Sequence, residues 1–311
     1  MSIDTPSDYV YSLAASPNFS KDGTCFAAQQ SGLYRSSDGG KSWQYAYNSL
    51  ALKTPLPTQA VAFSPDFSHD RTVFAAVQGG ILRSTNSGDT WQLDLLPNPP
   101  PMASTLVVSP NYPEDGQAFF STIEDGVFCT RDRGSHWNTW NFGLLDFQTL
   151  CLAVSPQYAR DETLIAGAES GIFYSKNGGR AWQTAVFPID SAPVTSLAFS
   201  PCYATDDLIF AGTVHGEVFR SGDRGKNWTR ICQFEDGIDQ ILLGAHFQHD
   251  PEILILTGSA LQYSTDGAQH WQTRTVRLPD EDSLTCLVAP LGIGSSSPLL
   301  AGTLLQGVIL V

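Results

Sequence analysis

A tryptophan closes the same eight-residue phrase six times along this chain. SSDGGKSW (36–43) returns as STNSGDTW (84–91), TRDRGSHW (130–137), SKNGGRAW (175–182), SGDRGKNW (221–228) and STDGAQHW (264–271). The closing residues Trp43, Trp91, Trp137, Trp182, Trp228 and Trp271 stand 48, 46, 45, 46 and 43 residues apart. A period of this size means one supersecondary unit per repeat, too small to bury its apolar face alone and stacked on its neighbours to do so.

Each unit carries four short extended runs. The first ends in Ser-Pro (SLAASP, AVAFSP, TLVVSP, CLAVSP, SLAFSP). About five residues later comes an aspartate: Asp22, Asp70, Asp115, Asp161, Asp206, and Asp250 in a degenerate sixth copy. A second apolar run follows (CFAA, VFAA, AFFS, LIAG, LIFAG). A glycine then opens a third (GLYRS, GILRS, GVFCT, GIFYS, GEVFRS), and a fourth starts at the tryptophan (WQYAY, WQLDL, WNTWNF, WQTAVF). Runs of 4–6 residues, rich in β-branched and aromatic side chains and bounded by Gly, Pro, Asn and Asp, read as strands. No segment shows sustained helical periodicity.

Four antiparallel strands per repeat, a to d, predict an all-β chain: a seven-bladed β-propeller of four-stranded antiparallel blades, with the tryptophan-ended turns between strands c and d. Small residues at one depth of strand a (Ser12, Ala60, Thr105, Cys151, Ser196) place that strand at the crowded axis. The units run at about 9–57, 58–102, 103–147, 148–192, 193–237, 238–282 and 283–311, within one domain spanning 1–311. The seventh supplies strands a, b and c only. Either residues 1–8 complete it, which pairs the chain ends and covers a sheet edge, or the last blade keeps three strands.

The pattern Ser/Thr-x-Asp/Asn-x-Gly-x-x-Trp, in six copies over essentially the whole chain, resembles the Asp-box or BNR repeat. Propellers of that family include sialidases, xyloglucan-cleaving hydrolases, sortilin-type receptor domains and a single-ring photosystem II assembly factor. The resemblance implies a structural role for Asp38, Asn86, Asp132, Asn177, Asp223 and Asp266. The residue chemistry agrees, because Asn replaces Asp in two copies and both accept bonds from turn N–H groups. Gly40, Gly88, Gly134, Gly179 and Gly225 are expected at positive φ. The sixth copy has Ala268 there and Gly267 one place earlier, so that turn is expected to be distorted. Each tryptophan is expected to anchor its own hairpin by burial.

Little in the chain points to catalysis. The Arg-Ile-Pro signature of sialidases is absent, and Arg35, Arg83 and Arg220 precede the turns, away from the axis where a substrate carboxylate would be held. A xyloglucanase-type cleft needs two propellers, and this chain has length for one. His246 and His249 form an H-x-x-H, but at a strand–loop junction that reads as a solvated loop. Glu124, Asp125, Glu169 and Glu217 are the carboxylates to examine for a convergent pair. No metal or cofactor is called for.

In a propeller the a–b and c–d loops share one face, and the b–c and d–a loops share the other. The first set is nearly constant between units and the second differs in each. Differences carry individual function more readily than repeated residues do. The variable loops supply Glu124, Asp125, Glu169 and His215 with the aromatics Trp140, Phe142 and Phe147; Tyr47, Met102, Leu144 and Phe187 lie on the same loops. This acidic, aromatic-dotted platform is expected to bind another protein, making the chain a non-catalytic scaffold. A carbohydrate-binding or glycoside-hydrolase-like propeller is the alternative.

Charge narrows the partners. The chain has 31 acidic against 17 basic residues, a net charge of −14, and no Lys/Arg run, which argues against nucleic acid. No apolar run is long enough to enter a bilayer. The six cysteines lack C-x-x-C spacing and read as buried thiols of a reducing compartment. With no leader-like segment at the start, a cytoplasmic location is expected.

Overall fold

The second run of every repeat is apolar throughout because it lies between two neighbouring blades, and the other strands are added to it in chain order. The computed structural model describes residues 7–96, 100–258, 260–294 and 297–311. In blade 1, strands a (Val10–Ala15), b (Cys25–Gln29), c (Gly32–Ser36) and d (Gln44–Tyr45) form an antiparallel sheet in that order. Five more four-stranded sheets repeat it. Leu284–Val288, Leu300–Thr303 and Val308–Leu310 make a seventh, of three strands among the described residues. The molecule is a seven-bladed β-propeller. Strand b is buried at every residue in blades 1 to 6.

On one face, short side chains lock the loops. Ser36 Oγ donates to Asp38 Oδ1 (2.8 Å) and accepts the Gly40 N–H (2.9 Å), while Asp38 Oδ1 accepts the Ser42 N–H (2.9 Å). The hydroxyl-to-Asp/Asn bond recurs in all six turns, at Asn86 and Asn177 as well as at Asp132, Asp223 and Asp266. At Asn86 and Asn177 an amide oxygen accepts the bond that a carboxylate accepts in the other turns.

The sixth turn is not distorted. Ala268 takes φ 76°, close to the 81–89° of the equivalent glycines, and its N–H donates to Ser264 Oγ (3.0 Å). The bonds of the turn hold an alanine in a conformation that glycine adopts more easily.

The a–b loops contain an element that periodicity could not reveal, since it is one turn long. Helices at Phe19–Asp22, Phe67–Asp70, Tyr112–Asp115, Tyr158–Asp161 and Tyr203–Asp206 each end on the recurrent aspartate. The serine of each Ser-Pro donates to that aspartate: Ser16 to Asp22 (2.7 Å), Ser109 to Asp115 (2.7 Å), Ser155 to Asp161 (2.8 Å). The two loops are also tied together, with Gly39 N–H donating to the Gly23 carbonyl (3.0 Å) and Arg133 N–H to that of Gly116 (3.0 Å).

The tryptophans do more than hold their own hairpins; they wedge between blades. Trp91 of blade 2 meets Phe26 and Tyr47 of blade 1 edge-on, and its Nε1 donates to the Ala46 carbonyl (2.9 Å). Trp182 of blade 4 donates to Trp140 of blade 3, and Trp228 of blade 5 packs on Phe187 of blade 4. Burying a ring of this size contributes on the order of 4 kcal/mol. The turn glycines sit at the same joints: a Cβ on Gly134 would come within 2.5 Å of Phe74, in the preceding blade.

The inner strands complete the ring. In blades 3, 5 and 7 a β-bulge near the start of strand a turns a hydroxyl towards the next blade. Ser104 Oγ donates to the Thr149 carbonyl (2.6 Å), Thr195 Oγ1 to that of Ile238 (2.5 Å), and Thr285 Oγ1 to that of Val10 (2.6 Å). The last bond joins blade 7 to blade 1. Of the segment expected to complete blade 7, residues 1–6 lie outside the described residues. Ser7 and Asp8 form no strand, and Asp8 Oδ2 accepts the Ser31 N–H of blade 1 (2.7 Å).

Strand d is shorter than its sequence suggests. It has two residues in blades 1, 3 and 4 (Gln44–Tyr45, Asn138–Thr139, Gln183–Thr184), mostly polar and exposed, with little burial to extend the pairing. All six cysteines are unpaired, but only Cys25, Cys129 and Cys151 are buried; Cys202, Cys232 and Cys286 are partly exposed, contrary to the expectation of six buried thiols. Among the described residues no helix is long and apolar enough to cross a membrane.

Candidate interaction surface

The b–c turns and d–a loops meet where each strand a begins, and backbone bonds join them into a continuous strip across blades 3 and 4. The Ile123 N–H donates to the Met102 carbonyl (3.2 Å), the Gly126 N–H to that of Phe147 (3.0 Å), and the Glu169 N–H to that of Gln148 (3.1 Å). Asp146 spans the two blades, accepting from its own loop at Gln148 N (2.9 Å) and from the blade 4 turn at Ser170 N (2.8 Å).

Asn141 supports the blade 3 turn from behind. Its Nδ2 donates to the Asp125 carbonyl (2.8 Å), and its Oδ1 accepts the Val127 N–H (2.8 Å). Gly126 is required there: its φ is 76°, and a Cβ would lie 2.6 Å from Asn141. The strip is thus tied together by hydrogen bonds, although it is made of loops.

Its outer surface carries exposed Glu124 and Glu169, half-buried Asp125, and three exposed apolar side chains: Met102 (50%), Leu145 (80%) and Phe147 (46%). Of the residues singled out from the sequence, Glu124, Asp125, Phe147 and Glu169 come together here. The others do not. Trp140 is half-buried at the opposite side of the blade 3–4 joint, against Gly179, with the Arg131 guanidinium 5.9 Å from its ring centre. The reason is the short strand d, which ends at Thr139 and leaves Trp140 to fill the joint.

Phe142 is 80% exposed, but its carbonyl accepts the Trp182 N–H (2.9 Å), which places it on the outer flank. His215 is exposed on the b–c turn of blade 5, away from the strip. Tyr47 and Leu144 are core residues, and Phe187 packs on Phe219. Leu145, Asp146 and Asn141 were missed. Asp146 had a signal: Asp8, Asp239 and Asp282 precede other a strands and clamp b–c turns in the same way.

Glu217 is not a free acid. It is buried and 2.5 Å from Arg230. Burial raises its proton affinity, but hydrogen bonds from Ser191 and Arg230 outweigh that and hold it below the usual carboxylate range. Arg35 and Arg83 reach different joints: Arg35 pairs with Asp89 (2.6 Å), and Arg83 donates to the Arg133 carbonyl (2.5 Å). His246 and His249 are exposed on one turn, and no metal-binding group of three ligands occurs among the described residues.

No family model matches the chain, and no curated protein matches it. Solved structures do share its fold. A structure of YCF48 bound to D1 peptide superposes with a TM-score of 0.71 at 16% identity, over 100% of this chain and 94% of that one. YCF48 from Cyanidioschyzon merolae gives 0.67 at 16%, over 100% and 97%. The GH74 xyloglucanase from Xanthomonas campestris gives 0.72 at 15%, over 99% of this chain but 52% of the enzyme. At these identities the likeness is one of fold.

Proposed function

We propose that this chain is a non-catalytic, protein-interaction propeller of the Asp-box kind, holding a partner segment against the strip on blades 3 and 4. The observation that carries this is the strip itself. Phe147, Leu145 and Met102 stand exposed beside the carboxylates of Glu124, Asp125 and Glu169, on loops fixed by backbone bonds. Exposed apolar side chains on a preorganised surface act as anchors, and rim charges steer and select the partner. With a net charge of −14 the matching segment is basic, with one or two aliphatic or aromatic side chains. That a fold neighbour, YCF48, is seen with a peptide supports the reading.

The carboxylates suit steering rather than chemistry, since Glu124 and Glu169 are open to water and Glu217 is tied to arginine. Panning a displayed peptide library against the protein tests the proposal. Selected peptides should be enriched in Lys, Arg and large apolar residues, and Phe147→Ser should weaken them by about tenfold or more. Peptides of random composition, or peptides indifferent to Phe147→Ser, would overturn it.

A further inference from the structure

Blade 6 breaks the repeat at one buried position. Tyr34, Leu82, Phe128, Phe173 and Phe219 occupy the third place of strand c in blades 1 to 5 and fill the joint with the preceding blade. In blade 6 the same place holds Gln262, only 8% exposed. Its Oε1 accepts from Thr273 Oγ1 (2.7 Å), and its amide nitrogen has no hydrogen bond among the described residues. Beside it a groove of about 800 Å3 opens between blades 5 and 6, lined by Gln262, the half-buried Trp271, Phe234, His215 and the carboxylates of Glu235 and Asp236.

The walls of the groove are fixed. Phe234 N–H donates to the Gly216 carbonyl (2.9 Å), and a Cβ on Gly216 would lie 2.3 Å from the Phe234 carbonyl oxygen. Phe234 meets the Trp271 ring edge-on at 5.2 Å. Glu235 and Asp236 make no ion pair among the described residues, and no lysine or arginine lines the groove. An indole ring, two carboxylates without an ion pair and an amide donor open to the groove make complementary offers to a ligand. The ring and carboxylates attract a cation, and the amide can donate to an acceptor that the same ligand brings into the groove.

We infer that this groove binds a guanidinium or ammonium side chain carried by a peptide, whose backbone carbonyl accepts from Gln262. The site is separate from the strip on blades 3 and 4, and it stands or falls independently of the role proposed there. It gives Trp271 a place in recognition that the repeat pattern alone does not.

The test is an NMR titration of the full chain with acetyl-Gly-Arg-Gly-amide, followed through the tryptophan indole N–H signals. Trp271 is assigned from Trp271→Phe. The Trp271 signal should shift saturably while those of Trp43 and Trp91 stay, and raised salt should weaken the effect. Gln262→Phe, which restores the filler used in blades 3 to 5, should abolish the shift and leave the other signals in place. Should that variant misfold, Glu235→Gln with Asp236→Asn removes the charge from exposed positions and should weaken binding by at least about tenfold. A Trp271 signal that ignores the peptide, or that moves with the uncharged sugar cellohexaose instead, would overturn the inference. So would a shift that persists unchanged in both variants.

Discussion

On one face of the ring, Asp38 and Asn86 occupy the same slot of successive turns, and each accepts from the turn hydroxyl and from the N–H four residues on. On the other, the b–c tips of blades 3 and 4 carry Glu124, Asp125 and Glu169, while those of blades 1 and 2 carry Gln30 and Gln78. The side chains of the first face serve the fold: hydroxyls cap turns, aspartates close one-turn helices and tryptophans enter the joint with the preceding blade. On the second face the backbone supplies the cohesion, through bonds such as Gly126 to Phe147, and leaves side chains facing water. Residue identity is therefore tied to the fold on the first face, while the second leaves its side chains free for the partner proposed above.

The largest expected effect lies at a joint. Trp91→Ala empties the wedge between blades 1 and 2 and should cost about 3–5 kcal/mol in urea unfolding, whereas Phe147→Ala should stay within about 0.5 kcal/mol. Equal costs would erase the distinction between the faces. Next comes the turn slot. Asp223→Ala leaves the Asn227 and Lys226 N–H groups to water and, like the loss of a capping side chain, should cost about 1 kcal/mol. Asp38→Asn should be nearly neutral, because Asn86 and Asn177 already serve.

Ala268→Gly relieves a positive φ and should raise stability by about 0.5–1 kcal/mol, a gain no substitution at Glu124 should match. The smallest effect is with acid. Bonds from the Ser42 hydroxyl and N–H hold the Asp38 carboxyl at about 2, below the usual aspartate value, and Asp223 and Asp266 are lowered as well. The unfolded chain then binds protons more readily, so this stabilisation is complete above about pH 4 and is lost as pH falls towards 2. Urea midpoints at pH 5 and pH 2.5 would register it. In an Asp38→Asn variant the drop should be smaller.

The period of the tryptophans made the blade count and strand order legible, because stacking repeats must keep one register round a ring. The positive φ of Gly40 and its equivalents was legible too, since few residues tolerate that turn. Joints were not. Nothing in SGDRGKNW says that Trp228 meets Phe187 of another unit, because inter-blade contacts depend on packing across the repeat boundary. Trp140 was misplaced for the same reason: strand d ends early, and the ring falls into the joint. Gln262 could have been found by aligning the third residue of each strand c, where one amide stands against five aromatic or aliphatic side chains.

Hydrogen–deuterium exchange of the full chain, with and without a peptide selected on it, tests the division of labour most directly. Added protection should fall on residues 123–126, 145–148 and 168–170, with the turns at 36–43 and 84–91 unchanged. Protection that gathers on those tryptophan-ended turns, and leaves the strip exchanging as before, would contradict the account.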